Sequence, residues 1–357
     1  MSGVVFLSEE IKNIYKVASI YVTTIIGAGF ASGQEIARFF SDYFKGGFYG
    51  IVVAGILFAV IGWLVLDRVY TGRIKNYEEY LYPTVGWFFG KVMDIVVTLF
   101  MFSVLSIMVA GLGSILSEKL NVHLAVGAAI MAFVCMLLML TDIRGVVALS
   151  SLITPVLILG IVFTGFYVII FKDTSVFNMA GTLKGITNNW FLSSLIYVSY
   201  NSISSVVVMS HMLPYLKTRK VGFLGGIIGG LSLCAVALLL NTVINVFYQE
   251  VSGKEFPVLS VMEKYGTYFT SIYTFILWLA MFSTAVTSGF CLVDRIRSKI
   301  KINRKAITVM TCLLIIPVSC FGFANLIASL YTFFGYIGLF MVFAIIFQEL
   351  KRDKKIN

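Results

Sequence analysis

The chain has 357 residues, of which 59% are hydrophobic and only 12% are charged, and its mean hydropathy is +0.96. Soluble domains contain about 25% charged and about 45–50% apolar residues. So few charges leave too little polar surface to cover a globule, which excludes a soluble enzyme, a disordered chain and a secreted module. The net charge of +10 comes from basic residues in short segments between apolar runs. It therefore indicates membrane orientation rather than nucleic-acid binding.

Ten apolar runs follow one another along the chain, each about long enough to cross a bilayer as a helix. They cover residues 14–40, 47–69, 92–116, 124–141, 146–171, 190–213, 222–248, 265–292, 305–323 and 326–349. These runs predict an all-α polytopic membrane protein with ten transmembrane helices. Little sequence remains for loops, so we expect residues 1–357 to form a single transmembrane domain.

The distribution of Lys and Arg predicts the orientation of these spans. With a cytoplasmic N-terminus, 20 of the 27 basic residues fall in the inner segments and seven in the outer ones. Cytoplasmic loops of membrane proteins carry such an excess of basic residues. We therefore predict a multi-pass protein of the cell (plasma) membrane with both termini in the cytoplasm.

The ten spans divide into two halves of similar length, residues 14–171 and 190–349. Each half contains five spans, and because five is odd, the second half lies upside down relative to the first. Two inverted five-helix repeats are typical of secondary transporters.

The first span of each half has a polar or glycine-rich centre. Gly27, Gly29 and Gly33 lie in the middle of span one, and each Gly weakens a helix by about 1 kcal/mol relative to Ala. Span six carries Ser and Asn side chains between residues 199 and 205, which compete for backbone hydrogen bonds. We predict that helices 1 and 6 are unwound at mid-membrane depth and meet at a substrate site. Close helix packing on small residues is the alternative for span one.

The predicted substrate site combines these two breaks with side chains of the third and eighth spans. Its members are Gly27, Ala28, Gly29, Phe30, Ser32, Gly33, Ser103, Ser199, Asn201, Ser202 and Phe282. Aromatic walls and hydroxyl groups suit a small, partly apolar organic solute. Exposed amides at a half-helix end suit a carboxylate, so we expect an amino acid or a related compound.

Glu35 is the acidic residue that lies well inside a span. An ionised side chain at this depth costs at least about 2.5–3.5 kcal/mol on insertion, which makes it a functional candidate. Three roles stay open: coupling to protons, binding the amine of a substrate or a coupling cation, and pairing with Arg38, three residues further on. Arg38 is also the candidate for a gating residue.

The segment GAGFASGQE, residues 27–35, resembles the first span of the YkvI-like family of bacterial membrane proteins. The layout of the whole chain resembles the LeuT-type transporters of the amino acid–polyamine–organocation superfamily. This resemblance implies the LeuT-type fold. The YkvI-like family is poorly characterised, so it implies an architecture more than a substrate.

In LeuT-type sodium symporters, one sodium ion lies between the first and eighth spans. The resemblance implies carbonyl ligands at Thr23, Ile26 and Thr284, and hydroxyl ligands at Thr287 and Ser288. Neutral oxygen ligands suit a hard cation. Such symporters commonly have an Asn where this chain has Phe30, so the resemblance does not imply a second sodium site.

We therefore expect a secondary active transporter that moves a small organic solute by alternating access, coupled to sodium or protons. The alternative is a membrane receptor on a transporter fold that binds a small ligand without net transport. The sequence has no HExxH or GxSxG motif and no pair of intramembrane Asp residues, so we expect no enzyme. The expected partners are a small-molecule substrate and the lipid bilayer. Sodium is the candidate ion, and no other cofactor is expected.

Overall fold

The computed structural model describes residues 2–140, 158–170 and 185–356, and these ranges are helical with short connections. The first half contains α1 (Ser2–Ile25), α2 (Ala28–Ala31), α3 (Gln34–Phe39), α4 (Lys45–Thr71), α5 (Tyr77–Val85), α6 (Trp87–Leu120), α7 (Leu124–Met139) and α8 (Ile158–Ile170). The second half contains α9 (Trp190–Met209), α10 (Arg219–Val246), α11 (Tyr248–Val251), α12 (Pro257–Glu263), α13 (Thr267–Lys299), α14 (Arg304–Ser319), α15 (Phe323–Leu326) and α16 (Thr332–Ile356). A π-helical turn, Ile327–Tyr331, joins the last two helices.

Six helical segments of the described ranges are long and apolar enough to cross a membrane. They are α4, α6, α9, α10, α13 and the continuous segment Phe323–Gln348. This confirms an all-helical membrane protein. Part of the predicted fifth span, residues 146–157, lies outside the described residues, so the full count of ten spans and their inverted repeat stay predictions.

The long helices form two groups. In the first helix group, α1 and α4 pack against both α9 and α10. The second helix group consists of α6, α7, α13 and α14, which pack against one another. The first group takes its helices from the first two predicted spans of each half, and the second group from the third and fourth.

Glycines bring the helices of each group into backbone contact. A Cβ on Gly230 of α10 would lie 2.3 Å from the amide nitrogen of Ala59 in α4. A Cβ on Gly113 of α6 would lie 2.8 Å from the amide nitrogen of Ala128 in α7. Small residues permit this close approach in membranes, where van der Waals packing drives helix association.

Ion pairs also fasten each group internally. Among the described residues, the ion pairs on these eight helices each join two helices of the same group. They are Arg219–Asp67 and Lys220–Glu10 in the first group, and Arg295–Asp94, Lys299–Asp94 and Arg304–Asp294 in the second. Contacts that cross between the groups include α2, which packs against α13, and the rings of Phe100 in α6 and Tyr200 in α9, whose centroids are 6.4 Å apart.

The first span is broken, as the glycines predict. Helix α1 ends at Ile25, and Gly27 is extended, with φ −99° and ψ −169°. After the single turn of α2, Gly33 adopts φ +80°, a left-handed conformation that favours glycine. The chain then continues as α3.

The predicted break in the sixth span is wrong, because α9 is continuous from Trp190 to Met209. The hydroxyls of Ser199, Ser202 and Ser205 donate to carbonyls four residues earlier, at 2.6–2.7 Å. The side-chain amide of Asn201 donates to the Tyr197 carbonyl at 3.0 Å. These side chains add bonds to carbonyls of the intact helix instead of competing with it.

Ser202→Ala is therefore expected to change the free energy of unfolding by less than about 1 kcal/mol. The Ser202 hydroxyl donates to a carbonyl of its own helix, so its loss leaves no contact between helices broken. Ser193→Ala is the matched control, since Ser193 is equally buried on the same helix. Its hydroxyl donates to the Phe39 carbonyl of α3 at 2.8 Å, so we expect a loss of about 1–3 kcal/mol. Thermal unfolding in detergent measures both changes, and an equal loss at the two positions would contradict this account.

Candidate functional site

The break in the first span interrupts the regular backbone hydrogen bonding between α1 and α2. The Gly27 amide donates to the Ile25 carbonyl at 2.8 Å, two residues back instead of four. The helical ladder resumes when the Ala31 amide donates to the Gly27 carbonyl at 3.0 Å. The carbonyls of Thr23 and Ile26 therefore fall where the regular pattern is interrupted.

The eighth predicted span, within α13, lies beside this break. A Cβ on Gly27 would lie 3.9 Å from Thr284 Oγ1, and the Tyr273 hydroxyl donates to the Ala31 carbonyl at 2.6 Å. One turn further along α13, Ser288 is buried and Thr287 is exposed. The structure thus brings together the two segments that hold the predicted sodium ligands.

Glu35 is buried against the first helix group. Only 4% of its surface is exposed, and its Oε2 accepts a hydrogen bond from the Tyr200 hydroxyl of α9 at 2.6 Å. No basic side chain of the described residues lies within 4 Å of this carboxylate as an ion pair. Arg38 lines a cavity beside α10 instead, so the structure does not pair these two residues.

Aromatic rings surround the Glu35 carboxylate. The Tyr331 ring stacks on the Tyr200 ring, with a centroid distance of 4.5 Å, and the Tyr197 ring meets Tyr200 edge-on at 5.5 Å. Tyr331 ends the π-helical turn, an irregularity that frequently marks functional sites. The Tyr197 hydroxyl is buried near the Asn201 side chain. We call Glu35, Tyr197, Tyr200 and Tyr331 the tyrosine cage.

The three tyrosines were missed from the sequence. The sequence feature that could have identified them is a polar aromatic side chain within an apolar span, and Tyr197 and Tyr200 lie one helical turn apart on α9. A buried Tyr hydroxyl usually finds a hydrogen-bond partner. Tyr is so common in this chain, with 18 copies, that the pattern alone singles out none of them.

Several predicted site residues shape the break itself. A Cβ on Gly29 would lie 2.1 Å from Glu35 Oε1, so this glycine makes room for the carboxylate. The Ser32 hydroxyl donates to the Gly29 carbonyl at 2.9 Å and accepts from the Gln34 amide at 3.2 Å. Ser32 therefore fixes the turn between α2 and α3. Ala28 is fully buried within the same turn.

Other predicted site residues contact different neighbours. Phe30 lines a small cavity with Phe58 of α4 and Cys234 of α10, inside the first helix group. The Ser199 carbonyl lies against Gly338 of α16, and Asn201 and Ser202 bond within α9.

The two remaining predicted residues lie in the second helix group. The Ser103 hydroxyl donates to the Leu99 carbonyl within α6 at 2.9 Å. The Phe282 ring stacks on that of Trp278, one turn earlier on α13, at 5.1 Å between centroids. Their place in a substrate site stays a prediction.

Residues 254–263 cover the break where α2 leads into α3. The Val258 amide donates to the Ser32 carbonyl at 3.1 Å. The Gln34 side chain faces two carbonyls, and with its amide nitrogen turned toward them it donates to that of Lys254 at 3.0 Å and to that of Glu255 at 3.3 Å. The Glu255 carboxylate in turn accepts from the Phe323 amide of α15 at 2.8 Å. This closing segment therefore ties α2 and α3 to the start of the last span.

Two proteins of Bacillus subtilis (strain 168) are similar to this chain over nearly its whole length. The uncharacterized membrane protein YkvI is 25% identical over 349 residues, which cover 96% of this chain and 97% of that protein. The uncharacterized protein YyaD is 26% identical over 327 residues, which cover 92% and 94%. No family model matches the chain.

Solved transporters share the fold. A manganese transporter of Eremococcus coleocola aligns with a TM-score of 0.61 at 14% identity, over 92% of this chain and 77% of that one. Mhp1 in its inward-facing conformation aligns with a TM-score of 0.60 at 13% identity, over 93% and 75%. A Na⁺-coupled sialic acid symporter aligns with a TM-score of 0.56 at 12% identity, over 91% and 76%. The chain is thus similar to uncharacterized bacterial membrane proteins and has the LeuT-type fold of these transporters, none of which is an enzyme.

Proposed function

We propose that this protein is a secondary active transporter of the plasma membrane, with both termini in the cytoplasm. It moves a small organic solute, an amino acid or a related compound, by alternating access, and uses sodium or protons as the coupling ion. The observation that carries this proposal is the broken first helix, which holds a buried carboxylate against the first helix group and contacts α13 of the second group.

Alternating access requires two bodies that move against each other while each keeps its own packing. The glycine contacts and ion pairs described above join helices within one group. Between the groups lie the contact of Gly27 with Thr284, the bond from Tyr273 to Ala31, and the ring contact of Phe100 with Tyr200. A boundary with few charged contacts supports relative movement, and the irregular backbone of the break lies at that boundary.

Transport is tested by reconstituting the protein into proteoliposomes and measuring uptake of radiolabelled amino acids. The inward gradient is sodium in one set, protons in a second, and absent in a third. Uptake that accumulates the solute above its outside concentration with one gradient supports the proposal. Saturable binding without accumulation under either gradient would support the receptor alternative.

Sodium coupling predicts a sodium-specific gain in stability. A ligand bound only by the folded state stabilises it by RT ln(1 + [L]/Kd), about 2.7 kcal/mol at 100 times Kd. We expect sodium, compared with potassium at equal ionic strength, to raise the unfolding temperature. Ser288→Ala and Thr287→Ala should each abolish this difference, because each removes a proposed hydroxyl ligand.

Thr284→Ala is the matched control for this experiment. The proposed ligand at that position is its carbonyl, which the substitution keeps, and its hydroxyl is bonded to the Ala280 carbonyl at 2.9 Å. The sodium effect should therefore survive Thr284→Ala. A sodium effect that all three variants retain would mean that sodium binds elsewhere, whereas no sodium effect in the unmodified protein would direct attention to Glu35 and protons.

A further inference from the structure

A polar cavity of about 330 Å³ opens on the face of α3 that points away from the tyrosine cage. Its walls come from α3, the C-terminal end of α10 and the chain from α11 to the start of α12. We infer that this cavity is a second ligand site, which binds the carboxylate of a small aliphatic solute through Arg38. We call it the outer pocket. The inference does not depend on the proposed transport activity.

Arg38 is the first observation that points to an anionic ligand. Its side chain is half-buried and its charge acts on the neighbouring Tyr248, but no ion pair within 4 Å joins it to an acidic side chain of the described residues. A partly desolvated guanidinium that lacks a close anionic partner is incompletely compensated for its lost hydration. Its planar fork matches a carboxylate in a bidentate arrangement, so an anion in the cavity would supply the missing contacts.

The other charged groups of the outer pocket keep its potential positive. Lys254 lies exposed at the rim and adds a second positive charge. Asp42 is buried, and its carboxylate already accepts a hydrogen bond from the Tyr248 hydroxyl at 2.8 Å. Two cations against one engaged carboxylate favour an anionic ligand over a cationic one.

The remaining walls define the rest of the ligand. Ala37, Ile244, Val251 and Pro257 are the apolar residues of the lining. The volume is at the lower end of the roughly 300–1,000 Å³ of small-molecule sites. A short aliphatic chain that carries one carboxylate matches both features, whereas an inorganic anion would leave the apolar wall uncovered.

The outer pocket shares its wall with the closing segment. Gln34 and Lys254 line the cavity, and the Gln34 side chain also bonds the Lys254 carbonyl. A ligand in the cavity would therefore contact both α3 and the segment that covers the break. We expect occupancy to stabilise the closed arrangement of residues 254–263 on α3.

The probe for this site is isovalerate, and its uncharged isostere isovaleramide is the comparison. Saturation-transfer NMR on the full-length protein in detergent, with potassium as the only added cation, measures binding of each. We expect saturable binding of isovalerate and at least about tenfold weaker binding of isovaleramide. Arg38→Gln should weaken isovalerate binding by about tenfold or more, the usual effect of losing a charge-assisted hydrogen bond.

Two further variants keep the result interpretable if Arg38→Gln folds poorly. Ala37→Leu fills the cavity without changing its charge and should also abolish binding. Lys119→Gln removes an exposed charge outside the cavity and should leave binding unchanged. Equal binding of acid and amide, retained binding in Ala37→Leu, or equal loss in Lys119→Gln would each overturn the inference. None of these results bears on the sodium effect at Ser288, which tests the proposed function separately.

Discussion

Glu35→Gln is expected to lower gradient-driven uptake at least about tenfold while the protein stays folded. Glutamine has nearly the same volume and keeps an acceptor for the Tyr200 hydroxyl, which now bonds the carboxylate at 2.6 Å. It removes the ionisable group, which is buried without a basic partner among the described residues. Intramembrane carboxylates of this kind act in ion pathways and proton relays. Uptake in proteoliposomes and unfolding temperature in detergent measure the two halves of this prediction.

The same variant separates the functional roles of Glu35. If the carboxylate carries the coupling proton, Glu35→Gln should abolish proton-driven accumulation but retain exchange of labelled for unlabelled solute. If it binds the amine of the substrate or a coupling cation, both activities should be lost. Tyr200→Phe is the control, since it removes the hydrogen bond and keeps the carboxylate. Unchanged uptake with an unchanged pH profile in Glu35→Gln would make Glu35 structural.

The break in the first span could be predicted because glycine is the residue that an irregular or crowded backbone position favours. Gly33 adopts a positive φ that other residues rarely adopt, and Gly29 leaves space for the Glu35 carboxylate. Both features follow from the lack of a Cβ. In this part of the chain, composition alone therefore located an irregular backbone and the acidic residue next to it.

The sixth span shows why the same reasoning fails for serine and asparagine. Their side chains can compete with a helix or bond back to it four residues earlier, and the sequence does not distinguish these outcomes. In α9 they bond back, for example from Ser202 to the Val198 carbonyl. The second half of the chain contributes an irregular element elsewhere, namely the π-helical turn that ends at Tyr331 of the tyrosine cage. No residue pattern in the sequence predicted this turn.

The position of Arg38 depends on tertiary structure. Spacing of three residues suggested that Glu35 and Arg38 share one face of a helix. Helix α3 is only six residues long and is packed between α9 and α10. Glu35 points to Tyr200 of α9, whereas Arg38 lines the cavity beside Ile244 of α10. Two neighbours on opposite sides thus separate charges that sequence spacing would pair.

Gly33→Ala is expected to destabilise the protein by about 2–4 kcal/mol and to loosen the closing segment. Alanine at φ +80° carries a backbone penalty of about 1 kcal/mol or more. Its Cβ would lie 2.6 Å from Val258 Cγ2 and 3.1 Å from Ile244 Cδ1, and overpacking of this kind costs about 1–3 kcal/mol. The Val258 side chain is stiff at χ1, and its amide bonds the Ser32 carbonyl. Relief therefore requires movement of the closing segment.

Gly253→Ala separates the two contributions, because Gly253 has the same φ of +80° but open space around its Cβ position. It should show the backbone penalty alone, about 1 kcal/mol. The double variant Gly33→Ala with Val258→Ala removes the clash, so a coupling energy of about 1–2 kcal/mol should appear in a double-mutant cycle. Equal losses in the two single glycine variants, with no coupling, would mean that Val258 does not hold the closing segment on the break. The predicted coupling would instead make this contact a point at which movement of the closing segment is transmitted to the broken helix.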